Sequence, residues 1–323
     1  MEGTRLSERL LQRILRESAT PELLEILTER LTPTDLQSLL LEVYKARAGQ
    51  VSPSNLLERY ERNRFVKPSQ AHPRKLLEFD RTAFELSAPR FEPIELSPVS
   101  PLGTISSVSN LSQNNALATI RGTEVVSDST NLLALECAVR RRAALKKAAT
   151  KNEVVRLCAS HRLVRTQRSP NPSMLAHFRL FALCSAGRDE GDYRFETREL
   201  KEHIRIYLAL LSTLKTEGYA IQRCRVALTD FNDRRLESLQ NEVISSLAAD
   251  FTDTLFEFAQ ERITGRGYYE TACFHIFVEN AQGEESQICD GGITAWTQLL
   301  LNNRKERTMI SGMGSERLCT LFT

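Results

Sequence analysis

The chain has almost none of the features that announce a common cofactor or compartment. Its seven cysteines, at 137, 158, 184, 224, 273, 289 and 319, include no C-x-x-C pair. Neither a zinc site nor a disulfide framework is therefore expected, and the cysteines read as small buried apolar residues in a reducing compartment. Its five histidines, at 72, 161, 177, 203 and 275, form neither H-E-x-x-H nor an i, i+4 pair, so the pattern offers no metal site. The phosphate-cradling pattern G-x-x-x-x-G-K-[ST] is also missing. No apolar run is long enough for a signal sequence or a membrane span, and the first residues, MEGTRLSERLLQRILRESA, alternate charge with leucine. A soluble, cytoplasmic protein with no membrane contact is expected. Charge of one sign is scarce too: 43 basic against 41 acidic side chains give a net charge of +2, too little to draw the molecule to nucleic acid as a whole.

What is present divides near residue 70. Residues 5 to 63 carry leucines at helical spacing, with Thr20-Pro21, Thr32-Pro33 and Ser52-Pro53 each placing a capping hydroxyl before a first-turn proline. Three or four short helices are expected there, each with one apolar stripe, as a small all-α domain over 1–70. The stretch VKPSQAHPRK at 66 to 75 suits a linker. Balanced charge and the lack of aromatic-basic interleaving make a protein partner a better fit to these helices than RNA.

From 71 to 323 the pattern is mixed. Strand-like segments at 114–127, 153–167, 176–187, 224–231 and 272–280 alternate irregularly with helical ones at 129–149, 198–218 and 233–248; a loop with Pro170 and Pro172 joins the second and third strands. This is α+β with long hairpins, not the regular strand-helix alternation of a doubly wound sheet. A basic run of Arg140, Arg141, Arg142, Lys146, Lys147 and Lys151 spreads round a helix and reads as a solvated face rather than a phosphate track.

The last sixty residues carry three motifs in succession: GRGYYETACFHIFV (265–278), DGG (290–292) and GMGSERL (312–318). Upstream stand SDST (127–130) before a helix, RLCASHRLVRTQR (156–168) and FRLFALCSAG (178–187). In order and spacing these resemble the catalytic core of histidyl-tRNA synthetase, a class II aminoacyl-tRNA synthetase, and its relative, the regulatory subunit of ATP phosphoribosyltransferase. The corresponding family patterns are R-G-L-D-Y-Y, G-G-R-Y-D and the G-L-E-R turn of motif 3, with P-E-G-T and the two strands of motif 2 before them. The resemblance covers residues 75 to 323. It implies an antiparallel class II sheet flanked by helices, and a homodimer formed through FEPIELSPVSPLG (91–103).

It also implies a site. Arg165 and Arg317 correspond to the cations that hold the α- and γ-phosphates of ATP, with Gln167 at the adenine and Glu316 beside Arg317; ATP with Mg2+ is the implied cofactor. Arginine's planar fork suits phosphate oxygens. Asp128 and Thr130 correspond to the groups that take a substrate α-ammonium, and Asp128 or Ser127 reads equally as a helix cap. Tyr268 and Tyr269 match the family's tyrosine pair, or pack in the core.

The departures matter as much. The arginine of R-G-L-D-Y-Y is Thr264, with Arg262 and Arg266 two residues to either side; the glutamate of G-C-E-V is Cys184; G-G-R-Y-D has become Gly291 to Ala295. Losing a cation at a transferring phosphoryl group costs about 3 kcal/mol of transition-state stabilisation. Cys184 and Cys273 have apolar neighbours that raise a thiol pKa, against a nucleophilic role. The ligand site is expected among Asp128, Thr130, Cys184, Arg266, Tyr268 and Tyr269, for an amino-acid-like molecule other than histidine. Two functions follow: ATP binding with formation of an acyl-adenylate, or a non-catalytic regulatory subunit sensing a ligand. The chain ends at Thr323, six residues past Arg317, before any anticodon-binding domain, so tRNA charging is not expected.

Overall fold

The computed structural model describes residues 2–167, 176–232 and 234–323, with side chains from residue 8 onward. Arg168 and the loop with Pro170 and Pro172 lie outside the described residues. The chain separates into two units, residues 1–62 with 118–123, and residues 63–117 with 124–323, so the boundary falls ahead of the expected residue 70.

The first unit holds α1 (Glu2–Glu17), α2 (Leu23–Glu25, continued by one wide turn over Ile26–Arg30), α3 (Pro33–Ala48) and α4 (Pro53–Arg62). Thr32 caps α3 by accepting from the Asp35 amide at 3.2 Å, and Ser52 accepts from the Asn55 amide at 3.2 Å, with proline opening both helices. Thr20 does not cap: α2 starts later, at Leu23, and the Thr20 hydroxyl donates to the Ser18 carbonyl instead. None of the residues of α2, α3 or α4 is buried.

The second unit is built on strands β1 (Glu92–Pro93), β2 (Val99–Pro101), β3 (Thr123–Val125), β4 (Val155–Val164), β5 (His177–Arg188), β6 (Arg223–Asp230), β7 (Thr254–Phe258), β8 (Ala272–Glu279), β9 (Glu285–Thr294) and β10 (Glu306–Met313). Eight form one sheet in the order β1-β4-β5-β10-β9-β8-β6-β7, antiparallel throughout except for the short edge strands β1 and β7, which pair parallel to β4 and β6. Helices α5 (Pro73–Ser87), α6 (Thr104–Val108), α7 (Ser129–Ala144), α8 (Arg194–Thr216), α9 (Leu236–Ser238), α10 (Ser245–Asp250), α11 (Trp296–Leu300) and α12 (Ser315–Leu321) flank it. The fold is α+β, as the irregular alternation predicts.

Strand periodicity divides the sheet into two faces. Against α5 and α8 it presents Cys158, Phe181, Leu183, Phe274, Ile276 and Met309, the larger core. Against α7 it presents Leu157, Ala159, Ala182, Cys184, Cys273 and Ile310, packed with Cys137, Tyr269 and Trp296. Arg141 of α7 is wholly buried, not part of a solvated face: it makes a two-pronged ion pair to Glu306 of β10 at 2.8 and 3.0 Å and donates to the carbonyls of Lys151 and Glu153. Arg140 is paired as well, with Glu136 and Glu92. Among the described residues no helix is long and apolar enough to cross a membrane.

Candidate functional site

Asp128, Thr130, Arg165 and Tyr268 gather at the α7 face, whereas Glu316 and Arg317 stand on α12, whose Leu318 and Cys319 pack into the opposite core with α5. Asp128 is the N-cap of α7, its Oδ1 accepting from the Thr130 amide at 3.0 Å and the Thr130 hydroxyl at 2.7 Å. Arg165 follows β4 and turns back on it: Nε donates to the Ser127 carbonyl at 3.0 Å, an Nη donates to Asp128 Oδ2 at 3.3 Å, and the guanidinium lies 5.0 Å from the centre of the Phe178 ring. The cap reading and the site reading of Asp128 are therefore compatible, because one carboxylate oxygen serves the helix and the other meets the arginine.

Tyr268 ties the far side to this pair. It stands edge-on to Tyr269 at 4.9 Å and to Trp296 at 5.6 Å. Its phenol is held well above the ordinary tyrosine range by burial first, then by the negative charges of Asp128 and Asp290, opposed by Arg165 and the Thr130 hydroxyl. The phenol thus lies within the field of Asp128, Arg165 and Asp290 together. Tyr269 is core: buried, it covers Gly292, where an added Cβ would come within 2.6 Å of its ring.

The two phosphate-binding candidates sit at one end of the sheet. Strands β4 and β10 both run antiparallel to β5, their C-terminal ends flanking its start. Arg165 lies just past β4 and Arg317 in the first turn of α12 just past β10, two strands apart across the sheet, with the strand ends opposite His177 and Phe181 of β5. Arg317 is exposed, and its side chain meets no partner among the described residues. Gln167 is exposed, its carbonyl accepting from Arg64 at 3.2 Å.

Several expected residues are placed elsewhere. Glu316 is buried and fully engaged: Oε2 accepts from Arg162 at 2.8 Å and from the Arg179 amide at 3.0 Å, while the Ser69 hydroxyl reaches Oε1. It holds α12 to β4 and β5 and cannot take a nucleotide or a magnesium ion without giving up those bonds. Cys184 is sealed beneath α7, its carbonyl facing the Cys137 thiol, and burial pushes its thiol well above the usual range. It lines no ligand space. Cys273, pushed up to about 12 by burial, is no better a nucleophile. Arg266, in a turn between Gly265 and Gly267, both left-handed with φ 88° and 83°, donates to the Phe231 carbonyl and stacks on the Phe231 ring. It does not stand in for the arginine missing at 264.

Arg262 is the cation that reaches the sheet. Its Nε donates to the Thr264 carbonyl at 2.8 Å, Nη2 donates to Asp290 Oδ1 at 3.2 Å, and the group lies 6.0 Å from the Tyr269 ring centre. His275 on β8, cross-strand from Asp290, brings Nε2 to the same oxygen at 3.4 Å. Sequence reasoning misses Asp290, His275 and Phe178. Asp290 immediately precedes the Gly291-Gly292 pair, which is a usable signal; the pairing of His275 with it depends on strand register, which is not. Leu180 of β5 is also on this face, covering Gly312, whose added Cβ would meet it at 2.8 Å.

No protein-family model matches the chain, and no curated protein matches its sequence. Solved structures do match. An ATP phosphoribosyltransferase regulatory subunit/histidyl-tRNA synthetase from Bacillus halodurans aligns with TM-score 0.58 and 14% identity over 80% of this chain and 83% of its own. Apo histidyl-tRNA synthetase from S. aureus aligns with TM-score 0.57 and 12% identity over 78% of this chain and 68% of its own. A histidine–tRNA ligase subunit from Alicyclobacillus acidocaldarius aligns with TM-score 0.52 and 12% identity, covering 78% and 94%. At such identities the likeness shows the fold: this chain has the class II synthetase-like core that its motifs predict.

Proposed function

We propose that the α7 face is a binding site for ATP and an amino-acid-like ligand, in a synthetase-like protein. The observation that carries the reading is the convergence of Asp128, Thr130, Arg165 and Tyr268, residues separated by up to 140 positions, around one phenol. Arg165 offers the free part of a fork to a phosphate, Phe178 beneath it offers a partly open ring for a base, and Arg317 is an unpaired cation at the same end of the sheet. Asp128 Oδ2 offers a carboxylate to an ammonium group. Magnesium, if used, arrives on the phosphates: Glu316 is engaged, and among the described residues no group of three or more His, Cys, Asp or Glu could hold an ion.

Whether the site activates its ligand as an acyl-adenylate turns on charge. Thr264 supplies no cation, and Arg262, the arginine closest to it, is already neutralised by Asp290. That observation favours the second reading, a ligand-sensing regulatory protein that retains nucleotide affinity, with copies pairing through residues 91–103, a segment containing the outermost strand β1, and a protein partner taken by the exposed leucines of α1 to α4. ATP–pyrophosphate exchange across a panel of amino acids, with Arg317→Ala as control, separates the two. Exchange with one amino acid, lost in the variant, establishes adenylation; saturable ATP binding without exchange establishes a sensor; neither removes the proposal.

A further inference from the structure

We infer that Asp290 reads the ligand's side group, and that this group is a cation, as in an amino acid with a basic side chain. The inference rests on the amino-acid-like ligand proposed at Asp128 and extends it to specificity.

Three groups meet on the sheet floor at this point, and they differ in access. The Arg262 side chain is 7% exposed and that of His275 15%, whereas Asp290 is 42% exposed. The charge that a ligand can touch is therefore negative. Oδ1 of Asp290 is taken by Arg262 and His275, and Oδ2 accepts no hydrogen bond from any described residue. A carboxylate fixed on one oxygen and open on the other is suited to an incoming donor, and a charged donor makes the strongest such bond.

Arg262 supplies an independent sign that this is a built site. Its Nη1 is buried and has no hydrogen-bond partner, although the rest of the guanidinium is held by Thr264 and Asp290. Leaving a charged donor half-satisfied inside a protein is unfavourable, and exceptions of this kind are expected at functional sites. Here the neighbour is Asp290, which the buried cation pairs with through Oδ1 and so orients.

Position completes the case. Asp290 is cross-strand from Gly312 on β10 and from His275 on β8, and its charge acts on the phenol of Tyr268, as does that of Asp128. A ligand whose ammonium meets Asp128 passes Tyr268 to reach Asp290 with its other end. Half-buried Leu180, over Gly312 and so beside Asp290, gives an apolar surface that suits a methylene chain.

The test is calorimetric titration of the full chain, saturated with a non-hydrolysable ATP analogue and Mg2+, using L-lysine, L-arginine, L-norleucine and L-glutamate as probes. Norleucine carries the lysine carbon chain without its ammonium. Lysine or arginine is expected to bind about tenfold or more tighter than norleucine, as the loss of a charged hydrogen bond dictates. Asp290→Asn should remove the difference, bringing lysine and arginine to the affinity of norleucine. Because that variant strands the Arg262 cation, the double variant Arg262→Met/Asp290→Asn is titrated beside it and should behave alike. Norleucine binding as tightly as lysine in the unaltered protein, or a lysine preference surviving either variant, overturns the inference. If all four amino acids bind alike and Asp128→Asn abolishes their binding, specificity falls while the proposed function stands. If neither the analogue nor any amino acid binds, both fall.

Discussion

The two faces of one sheet differ less in whether buried polar atoms are satisfied, since α8 too carries carboxylate oxygens without a hydrogen bond, on Glu196 and Glu202, than in how open the charges beside them are. On the α8 side, His203 is sealed from solvent with both ring nitrogens matched, one to Ser185 at 2.9 Å and the other to Ser311 at 2.7 Å, and Ser311 also meets the Tyr207 hydroxyl at 3.0 Å. On the α7 side, Arg262 Nη1, His161 Nε2 and Thr294 Oγ1 are buried with no partner, and Asp290, Asp128 and Arg165 are partly open. A satisfied network fixes a core; a half-satisfied one beside open charge is suited to a ligand. The same strands carry both because alternate residues face opposite ways, so Ser311 and Gly312 are neighbours in sequence yet belong to different chemistries.

The largest effect is expected at the Arg141–Glu306 clamp that anchors α7. Glu306→Ala leaves Arg141 charged and unpaired in the core and should cost about 3–5 kcal/mol in urea unfolding, while Arg141→Met/Glu306→Leu should restore most of it. Next comes acid. Burial depresses His203 to about 3 from a free-histidine value of about 6.5, so the unfolded chain binds the extra proton first. Stability should be flat above about pH 6.5 and fall, by on the order of 4 kcal/mol, as pH drops from there toward 3. A pH series of unfolding midpoints on His203→Gln should lose that part of the slope, and ligand binding at neutral pH should be unaffected.

Smaller effects sharpen the contrast on the ligand side. Asp128→Ala removes a cap and should cost about 1 kcal/mol of stability, yet weaken ligand binding far more than that loss alone explains. Arg317→Ala and Arg266→Ala both remove exposed arginines and should leave thermal stability within about 0.5 kcal/mol of the parent. Only Arg317→Ala should weaken ATP, since Arg266 is held by Phe231.

Much of the fold was legible because class II order is written in short motifs at strand and helix junctions: SDST before α7, GMGSER between β10 and α12. Asp128 could be read as the cap of α7 because a short acceptor side chain just before a helix start is a local signal. What could not be read was cross-strand adjacency. His275 meets Asp290 only because β8 and β9 pair in one register, with a shift between Ile276 and Phe277 just beyond, and no spacing along the chain encodes it. Glu316 looked like part of a nucleotide site because its neighbour Arg317 does; its burial against Arg162 and Ser69 depends on residues more than 150 and 240 positions away. Cys184 followed from alignment with a pocket glutamate, but a small thiol at that point lets α7 close down on the strand.

The proposed nucleotide site depends on Arg165 and Arg317 at one end of the sheet. Calorimetric titration of ATP with Mg2+ into the parent protein and into Arg317→Ala tests it most directly. Saturable binding to the parent is expected, weakened about tenfold or more in the variant, equivalent to about 1.4 kcal/mol. No saturable binding to the parent, or equal binding to both, would contradict it.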